Sequence, residues 1–101
     1  MVNDKILTLL GFCRKAGKLV AGTEKVTELV KKGNPCLVIL SQDISPKTEK
    51  ELKYHANGKQ VVFIRLSHNR ETVAHATNTT AGVLATADEG FSRAILQGGN
   101  D

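Results

Sequence analysis

Aromatic side chains are scarce in this chain of 101 residues, which has no tryptophan and only four rings, Phe12, Tyr54, Phe63 and Phe91. A core built from this composition must be mainly aliphatic. A nucleic-acid platform of several exposed, stacked rings is largely excluded, because such platforms need more aromatic residues than the chain contains.

Cysteines and long apolar runs are also few. The two cysteines cannot build a disulfide framework and do not form a CxxC pair, which favours a reducing compartment and predicts a cytoplasmic protein. Apolar runs such as residues 37–40 are far too short for a membrane span, so we expect no membrane partner and no signal peptide. With 41% hydrophobic and 24% charged residues, the composition is that of an ordinary globular protein, and residues 1–101 are expected to form a single domain.

Positive charge exceeds negative charge by four, and the excess is unevenly placed. Residues 1–33 contain seven basic and three acidic side chains, whereas residues 34–101 contain seven of each, which cancel. An excess confined to the first third indicates an anionic partner such as nucleic acid. A charge that only keeps the protein soluble is the alternative.

Apolar spacing and turn residues predict helices that alternate with short apolar strands. In the first helix, apolar residues recur at helical spacing between Val2 and Cys13, and Asn3 is the expected N-cap. At the other end of the chain, residues 98–101 are expected to form a frayed tail. Four further helices are predicted from Thr23 to Gly33, from Pro46 toward Gly58, over 70–76 and over 89–96, and strands over 19–21, 36–40, 61–64 and 82–87. The runs 36–40 and 61–64 are typical of strands buried on both faces. This alternation predicts an α/β fold with helices on both faces of a sheet.

Three cations and two glycines precede the predicted second helix. Arg14, Lys15 and Lys18 come first, and Gly22 and Thr23 stand where the helix begins. Free backbone amides at a helix N-terminus bind anions, Gly22 would allow another backbone to approach, and Thr23 could cap the helix while offering a hydroxyl to a phosphate. The alternative explains the segment equally well and needs no ligand: a glycine ends the first helix, a short strand follows, and the second helix has an ordinary cap.

The cysteines and histidines give little support for nucleophilic or metal chemistry. Cys13 lies on the apolar stripe of the first helix and Cys36 starts a buried strand, so both are interpreted as small core residues. His68 and His75 are seven apart and could share a helix face, but no further ligand follows at a familiar spacing. We therefore interpret them as surface histidines and expect neither a metal nor a cofactor.

Enzyme signals are absent from the sequence. Asp88 and Glu89 could form an acid pair, but Asp88 is more simply the cap of the last helix, and Lys31 and Lys32 suit a helix C-terminus without any partner. The motifs GxGxxG, GxxxxGK[ST], GxSxG and HExxH do not occur. We expect a protein that is not an enzyme.

The loop before the last strand, Thr77 to Gly82, is small, polar and uncharged. It could be an ordinary connection, which its composition slightly favours, or a surface of hydroxyls and amides that lies against a sugar-phosphate chain.

Nearly the whole chain resembles the L7Ae family of ribosomal and kink-turn RNA-binding proteins, in particular its small bacterial YlxQ-like members. The resemblance lies in RKAGKLVAG (14–22), the helix 26–33, LVILSQD (37–43) and ADEGF (87–91). It implies a three-layer α/β/α sandwich around a mixed four-stranded sheet. It also implies RNA binding by the N-terminus of the second helix and by the loop before the last strand, which falls at Asn78, Thr79, Thr80 and Gly82.

The second helix departs from the family pattern, in which a glycine is followed shortly by Asn-Glu-x-x-Lys. The glycine corresponds to Gly22, but Glu24, Lys25 and Glu28 stand at the Asn, Glu and Lys positions. Asparagine and lysine donate hydrogen bonds to guanine O6, whereas an ionised glutamate can only accept. Lys25 could take over the donor role.

Two functions remain open at this point. The first is a monomeric, non-catalytic protein that binds structured RNA, kink-turn-like or ribosomal, with the ribosome as a candidate partner. Its contacts would be Arg14, Lys15, Lys18, Gly22, Thr23, Glu24, Lys25 and Glu28, followed by the loop residues Asn78, Thr79, Thr80 and Gly82. The alternative is a protein-interaction module that keeps the fold and has lost RNA recognition, as the two glutamates suggest.

Overall fold

The computed structural model describes residues 5–98, which form five helices and four strands. In chain order these are α1 (Lys5–Lys15), β1 (Val20–Ala21), α2 (Thr23–Lys31), β2 (Cys36–Leu40), α3 (Pro46–Ala56), β3 (Val61–Arg65), α4 (Arg70–Thr77), β4 (Val83–Thr86) and α5 (Glu89–Gly98). Every predicted element is present, with ends that differ by a few residues. Val2, the predicted cap Asn3 and residues 99–101 of the predicted frayed tail lie outside the described residues.

The four strands form one mixed sheet in the order β1-β4-β2-β3. β2 and β3 run parallel with Cys36 opposite Val61, whereas β4 is antiparallel to both β1 and β2. All five residues of β2 are buried, because the strand has a neighbour on either side and helices on both faces. The prediction that this continuous apolar run is a strand buried on both faces is therefore confirmed.

Two apolar cores lie on opposite faces of this sheet. On one face Val26 and Val30 of α2 pack with Leu52 of α3 against alternate strand residues. On the other, α1, α4 and α5 contribute a second cluster that includes Leu10 and Ile95. The result is the predicted three-layer α/β/α sandwich, with two helices in one outer layer and three in the other.

Strand β3 differs from its prediction as a strand buried on both faces. It is one of the two edge strands of the described sheet, and Val62 is 48% exposed. Val61 and Phe63 point to the α2–α3 core and are partly buried. Burial on both faces requires cover beyond the strand itself, and the outer position of β3 leaves the α1–α4–α5 face incompletely covered at Val62.

Helices α3, α4 and α5 begin at side chains that cap their first turns. The Ser45 hydroxyl accepts from the Thr48 amide at 3.2 Å, and Asp88 accepts from the Phe91 amide at 2.9 Å, both as predicted. In α4 the cap is Asn69, which accepts from the Thr72 amide at 2.9 Å. Each cap satisfies a backbone amide that the helix itself leaves without an acceptor.

One edge of the sheet gathers the starts of three helices. The carboxyl ends of β1, β2 and β3 meet the amino end of β4 there, since Leu40 lies opposite both Arg65 and Val83. Helices α2, α3 and α4 all begin from this side. We call it the helix-start edge; it comprises the turn 22–23 and the loops 41–45, 66–69 and 78–82.

Candidate nucleic-acid interface

The N-terminus of α2 lies open on the helix-start edge. Gly22 occupies the capping position with φ 107° and ψ 141°, and within residues 5–98 no side chain caps the helix. The Gly22 carbonyl accepts from the Val26 amide at 2.9 Å, so the amides of the residues between them have no acceptor inside the helix. An uncapped first turn of this kind can bind an anion.

Thr23 does not cap the helix, contrary to the prediction. It is the first helical residue, and its carbonyl accepts from the Thr27 hydroxyl at 2.7 Å. The capping position falls one residue earlier, at Gly22, whose positive φ suits glycine. Thr23 is exposed, so its own hydroxyl remains accessible from solvent.

The loop 78–82 is held by internal hydrogen bonds. Asn78 closes α4 in the left-handed conformation, with φ 54°, and the Thr79 amide donates to the Ala74 carbonyl at 2.9 Å. The Thr79 hydroxyl lies 2.9 Å from that of Thr77 and faces the protein. Of the predicted contact residues here, Asn78 and Thr80 are therefore the exposed ones.

Gly82 is buried and has a packing role instead of the surface role predicted for it. A Cβ atom at this position would lie 2.7 Å from Ser41 Oγ and 2.9 Å from Ile44 Cδ1. Both the amide and the hydroxyl of Ser41 donate to the Gly82 carbonyl at 3.0 Å. Glycine is required because the loop 78–82 passes directly over the end of β2.

A backbone hydrogen bond joins the two predicted RNA-contact regions. The Gly22 amide donates to the carbonyl of Val83, the residue that follows the loop 78–82, at 2.9 Å. The open end of α2 and the loop are thus neighbours on one surface. This juxtaposition could not be read from their positions in the sequence.

Arg65 and Asp43 fix the rest of the helix-start edge, and sequence reasoning missed both. The Arg65 guanidinium donates to the Gln42 carbonyl at 2.7 Å and pairs with Glu49. Asp43 Oδ1 accepts from the Arg70 amide at 2.8 Å. No local pattern identifies these residues, because their partners lie sixteen or more positions away in the sequence.

The basic residues of the first third are divided in space. Arg14 and Lys15 form the last turn of α1 and line a groove together with Asn78, which begins the loop 78–82. Lys18 precedes β1 whereas Gly22 follows it, so the strand separates Lys18 from the helix-start edge. The lining of that groove does not include Lys18, whose amide donates to the Cys13 carbonyl at 3.0 Å at the end of α1.

The exposed start of α2 contains both signs of charge. Glu24 and Glu28 stand four residues apart, hence on one face, with Lys25 beside them. Within the described range 5–98 none of the three forms an ion pair. The two carboxylates oppose a phosphate that passes over them, whereas Lys25 and the open amides favour one.

The cysteines and histidines occupy the following positions. Cys13 and Cys36 are buried, as predicted, and burial raises the pKa of both thiols. His68 lies in the loop before α4, so it does not share a helix face with His75, contrary to that possibility. In residues 5–98 no group of three or more His, Cys, Asp and Glu side chains is placed to hold a metal ion. The helices of that range are also too short or too polar to cross a membrane.

The family model for the "Ribosomal protein L7Ae/L30e/S12e/Gadd45 family" matches residues 4–96. The chain belongs to this family. The resemblance predicted from the sequence is thereby confirmed, and the match includes α2, the loop 78–82 and the whole sheet.

Similar proteins support the L7Ae-family fold over nearly the full length. A Bacillus subtilis protein, "RNA-binding protein YlxQ", is 27% identical over 89 residues, which are 87% of this chain and 88% of that protein. A solved structure from Bacillus halodurans, described as a protein with unknown function, has a TM-score of 0.86 and 32% identity, and covers 96% and 98% of the two chains. The Giardia lamblia 15.5kD RNA binding protein has a TM-score of 0.72 at 16% identity, with 95% and 82% covered, and shows the fold alone.

Proposed function

We propose that this L7Ae-family protein binds structured RNA, of the ribosomal or kink-turn kind, and catalyses no reaction on it. The observation that carries the proposal is the hydrogen bond from Gly22 to Val83, which places the uncapped N-terminus of α2 beside the loop 78–82. An anion-binding helix end next to an exposed polar loop suits a sugar-phosphate chain. The name of the Bacillus subtilis relative supports the same class of ligand.

Each part of the surface has a definite task under this proposal. The open amides at Thr23 and beyond donate to a phosphate, and Thr80 and Asn78 supply polar contacts to sugar or base. Arg14 and Lys15 neutralise phosphates that lie next to Asn78, with which they line a groove. Both cations are available for this, because neither has an ion pair within residues 5–98. Cations in the last turn of α1 also interact favourably with its dipole, so their presence is explained even without RNA.

Lys25 is the candidate for direct base contact. It stands in the first turn of α2 and is exposed, and lysine donates to guanine O6 or N7. Glu24 and Glu28 beside it cannot donate when ionised. We therefore expect an RNA whose recognition relies on Lys25 and backbone amides, and less on the family's Asn-Glu-x-x-Lys pattern.

The cellular setting follows from the same ligand. We propose that the protein acts in the cytoplasm as a monomer on ribosomal or other structured RNA, with the ribosome as a candidate partner. Two free, buried thiols fit a reducing compartment.

The test compares affinity for a kink-turn RNA with affinity for an unstructured RNA of equal length, over a series of salt concentrations. We expect tighter binding to the kink-turn and a steep loss of affinity with salt. Equal affinities would reject structural specificity, and absence of binding to either RNA would reject the proposal.

A matched pair of charge variants tests the surface itself. In one, Arg14, Lys15 and Lys18 become alanine; in the control, Lys31, Lys32 and Lys50 do, which removes the same charge away from the loop 78–82. The first variant should show a smaller salt dependence, with a slope reduced by about one for each phosphate that the protein no longer neutralises. A single Lys18→Ala substitution should weaken binding less than Arg14→Ala or Lys15→Ala, because Lys18 is not among the residues that line the groove with Asn78.

A protein-interaction module is the second candidate. It is favoured by Glu24 and Glu28, which place two carboxylates at the helix end that would meet a phosphate. Co-purifying proteins that remain bound after nuclease treatment, together with no RNA binding in the comparison above, would support it.

A further inference from the structure

An apolar groove runs between α1 and the C-terminal end of α4. Its volume is about 430 Å³, and its lining includes Gly11 and Phe12 of α1 and Ala76 and Asn78 at the end of α4. The helices approach closely at its floor, where a Cβ on Gly11 would lie 3.1 Å from the Ala76 carbonyl oxygen. Because Gly11 has no side chain, the backbones of α1 and α4 can approach each other here, and no side chain of residue 11 fills the groove.

Phe12 stands in this groove with much of its ring in water. Its exposed fraction is 57%, whereas Phe63 and Phe91 are partly buried and pack against the two cores. A ring exposed to this extent has apolar surface that a planar partner could cover. Single exposed rings are common on proteins, so exposure alone assigns no ligand.

The charge of the groove specifies the kind of partner. Arg14 and Lys15 are among its lining residues, and none of the residues from the described range 5–98 that line it is acidic. Within residues 5–98 neither cation has an ion pair, so both are available to a phosphate. An apolar ring flanked by two cations fits a ligand that is flat and apolar at one end and anionic at the other.

The groove is continuous with the proposed RNA surface. Asn78 lines it and is also the first residue of the loop 78–82. Its left-handed conformation ends α4 and turns the chain toward Gly82 and the helix-start edge. The Asn78 carboxamide is exposed and can both donate and accept at a base edge.

We propose that this groove binds one unpaired nucleotide of the RNA, with its base stacked on Phe12. Arg14 and Lys15 hold the adjoining phosphates, and Asn78 contacts the edge of the base. The inference rests on the proposed RNA binding and extends it from the helix-start edge to the groove between α1 and α4. A single exposed ring suffices, because one unstacked base needs one aromatic partner.

The test uses the full chain, total bacterial RNA and ultraviolet crosslinking, followed by digestion and mass spectrometry. We expect a nucleotide adduct on Phe12, within the tryptic peptide 6–14. In filter binding to the same RNA, Phe12→Ala should weaken affinity about tenfold, the value of one base stack. Phe12→Tyr keeps a ring and should retain the parent affinity.

Tyr54 provides a matched control. It is 77% exposed and lies on α3, in the helix layer across the sheet, so Tyr54→Ala removes an exposed ring outside the groove. We expect Tyr54→Ala to bind RNA as the parent does. An equal loss of affinity in Phe12→Ala and Tyr54→Ala would overturn the assignment of the groove.

The remaining outcomes separate this inference from the proposed function. Parent protein that binds RNA, with Phe12→Ala binding equally well and no adduct on Phe12, would overturn the groove and leave RNA binding in place. Parent protein that retains no RNA would reject both. A co-purifying protein that is missing only from Phe12→Ala, with RNA affinity unchanged, would assign the groove to a protein partner and overturn the inference.

Discussion

The Gly22 amide and the Val83 carbonyl oxygen are 2.9 Å apart, and this hydrogen bond couples the start of α2 to the start of β4. Gly22 makes it with φ 107°, a conformation that side chains rarely adopt. The placement of the open helix end beside the loop 78–82 is therefore set by backbone geometry, and glycine is what permits that geometry.

Substitution of Gly22 should reduce both stability and RNA affinity. In Gly22→Ala the new Cβ meets no atom within 4 Å, so the cost comes from the positive φ, about 1–2 kcal/mol of unfolding free energy. Gly33→Ala is the matched control, since Gly33 has φ 83° and equally open space at the other end of α2. Urea unfolding should show a loss of stability for both variants, and RNA affinity should fall in Gly22→Ala alone. Equal affinity losses would show that strain, and not position, is responsible.

The close approach of Gly82 to Ser41 makes a separate prediction. Gly82→Ala places a Cβ 2.7 Å from Ser41 Oγ, and the shift needed to relieve this overlap should cost about 1–3 kcal/mol. Ser41→Ala removes the overlap with Oγ and the hydrogen bond that the hydroxyl donates to the Gly82 carbonyl, whereas the bond from the Ser41 amide and the 2.9 Å approach to Ile44 Cδ1 remain. In a double-mutant cycle by chemical denaturation, the double variant should lose less than the sum of the single losses. Strict additivity would contradict the packing role of Gly82.

Glu49 should make the stability of the protein depend on pH in the acid range. Hydrogen bonds from Lys53 and Arg65 lower the pKa of this carboxyl below 4.5 in the folded protein. The stabilisation is present above the unfolded pKa and is lost as the pH falls through the lower folded value. As the pH falls from neutral through 4.5 and below, parent stability should decline more steeply than that of Glu49→Gln. Glu51→Gln, on the same helix, should follow the parent; a parallel decline in Glu49→Gln would disprove the coupling.

The order of side chains at the start of α2 should control kink-turn affinity. A variant with E24N, K25E and E28K restores the pattern that the family uses, and should bind kink-turn RNA about tenfold more tightly or better, the value of a base-edge contact pair. The control, with E24K, K25E and E28N, has the same composition and net charge in another order. Its affinity for the kink-turn RNA should rise only by the amount that the change in net charge produces. Equal gains would show that charge, and not base contact, limits the affinity.

Local signals in the sequence predicted much of the fold. Ser45 and Asp88 were identified as caps because a cap acts on an amide within three residues of itself. The apolar run of β2 predicted a strand buried on both faces for a similar reason, since the apolar character of each residue indicates the burial of that residue. The family resemblance added the mixed character of the sheet, which no local pattern contains.

Features that depend on distant segments were not predicted. The exposure of Val62 follows from the position of β3 at the edge, and the order β1-β4-β2-β3 is a property of the whole chain. Gly82 was interpreted as a surface residue because its neighbour Ser41 is far away in sequence. The roles of Arg65 and Asp43 depend in the same way on pairing between loops.

The convergence of α2, α3 and α4 on the helix-start edge has an electrostatic consequence. Each helix directs the positive end of its dipole to that side, and these partial charges belong to the peptide groups themselves. They carry no ionisable proton, so a change of pH leaves them in place, and substitution of side chains does not remove them. The attraction of this edge for anions is thus partly encoded in strand order and helix direction. A relative could exchange its charged residues there, as Glu24 and Glu28 illustrate, and still inherit that part of the field.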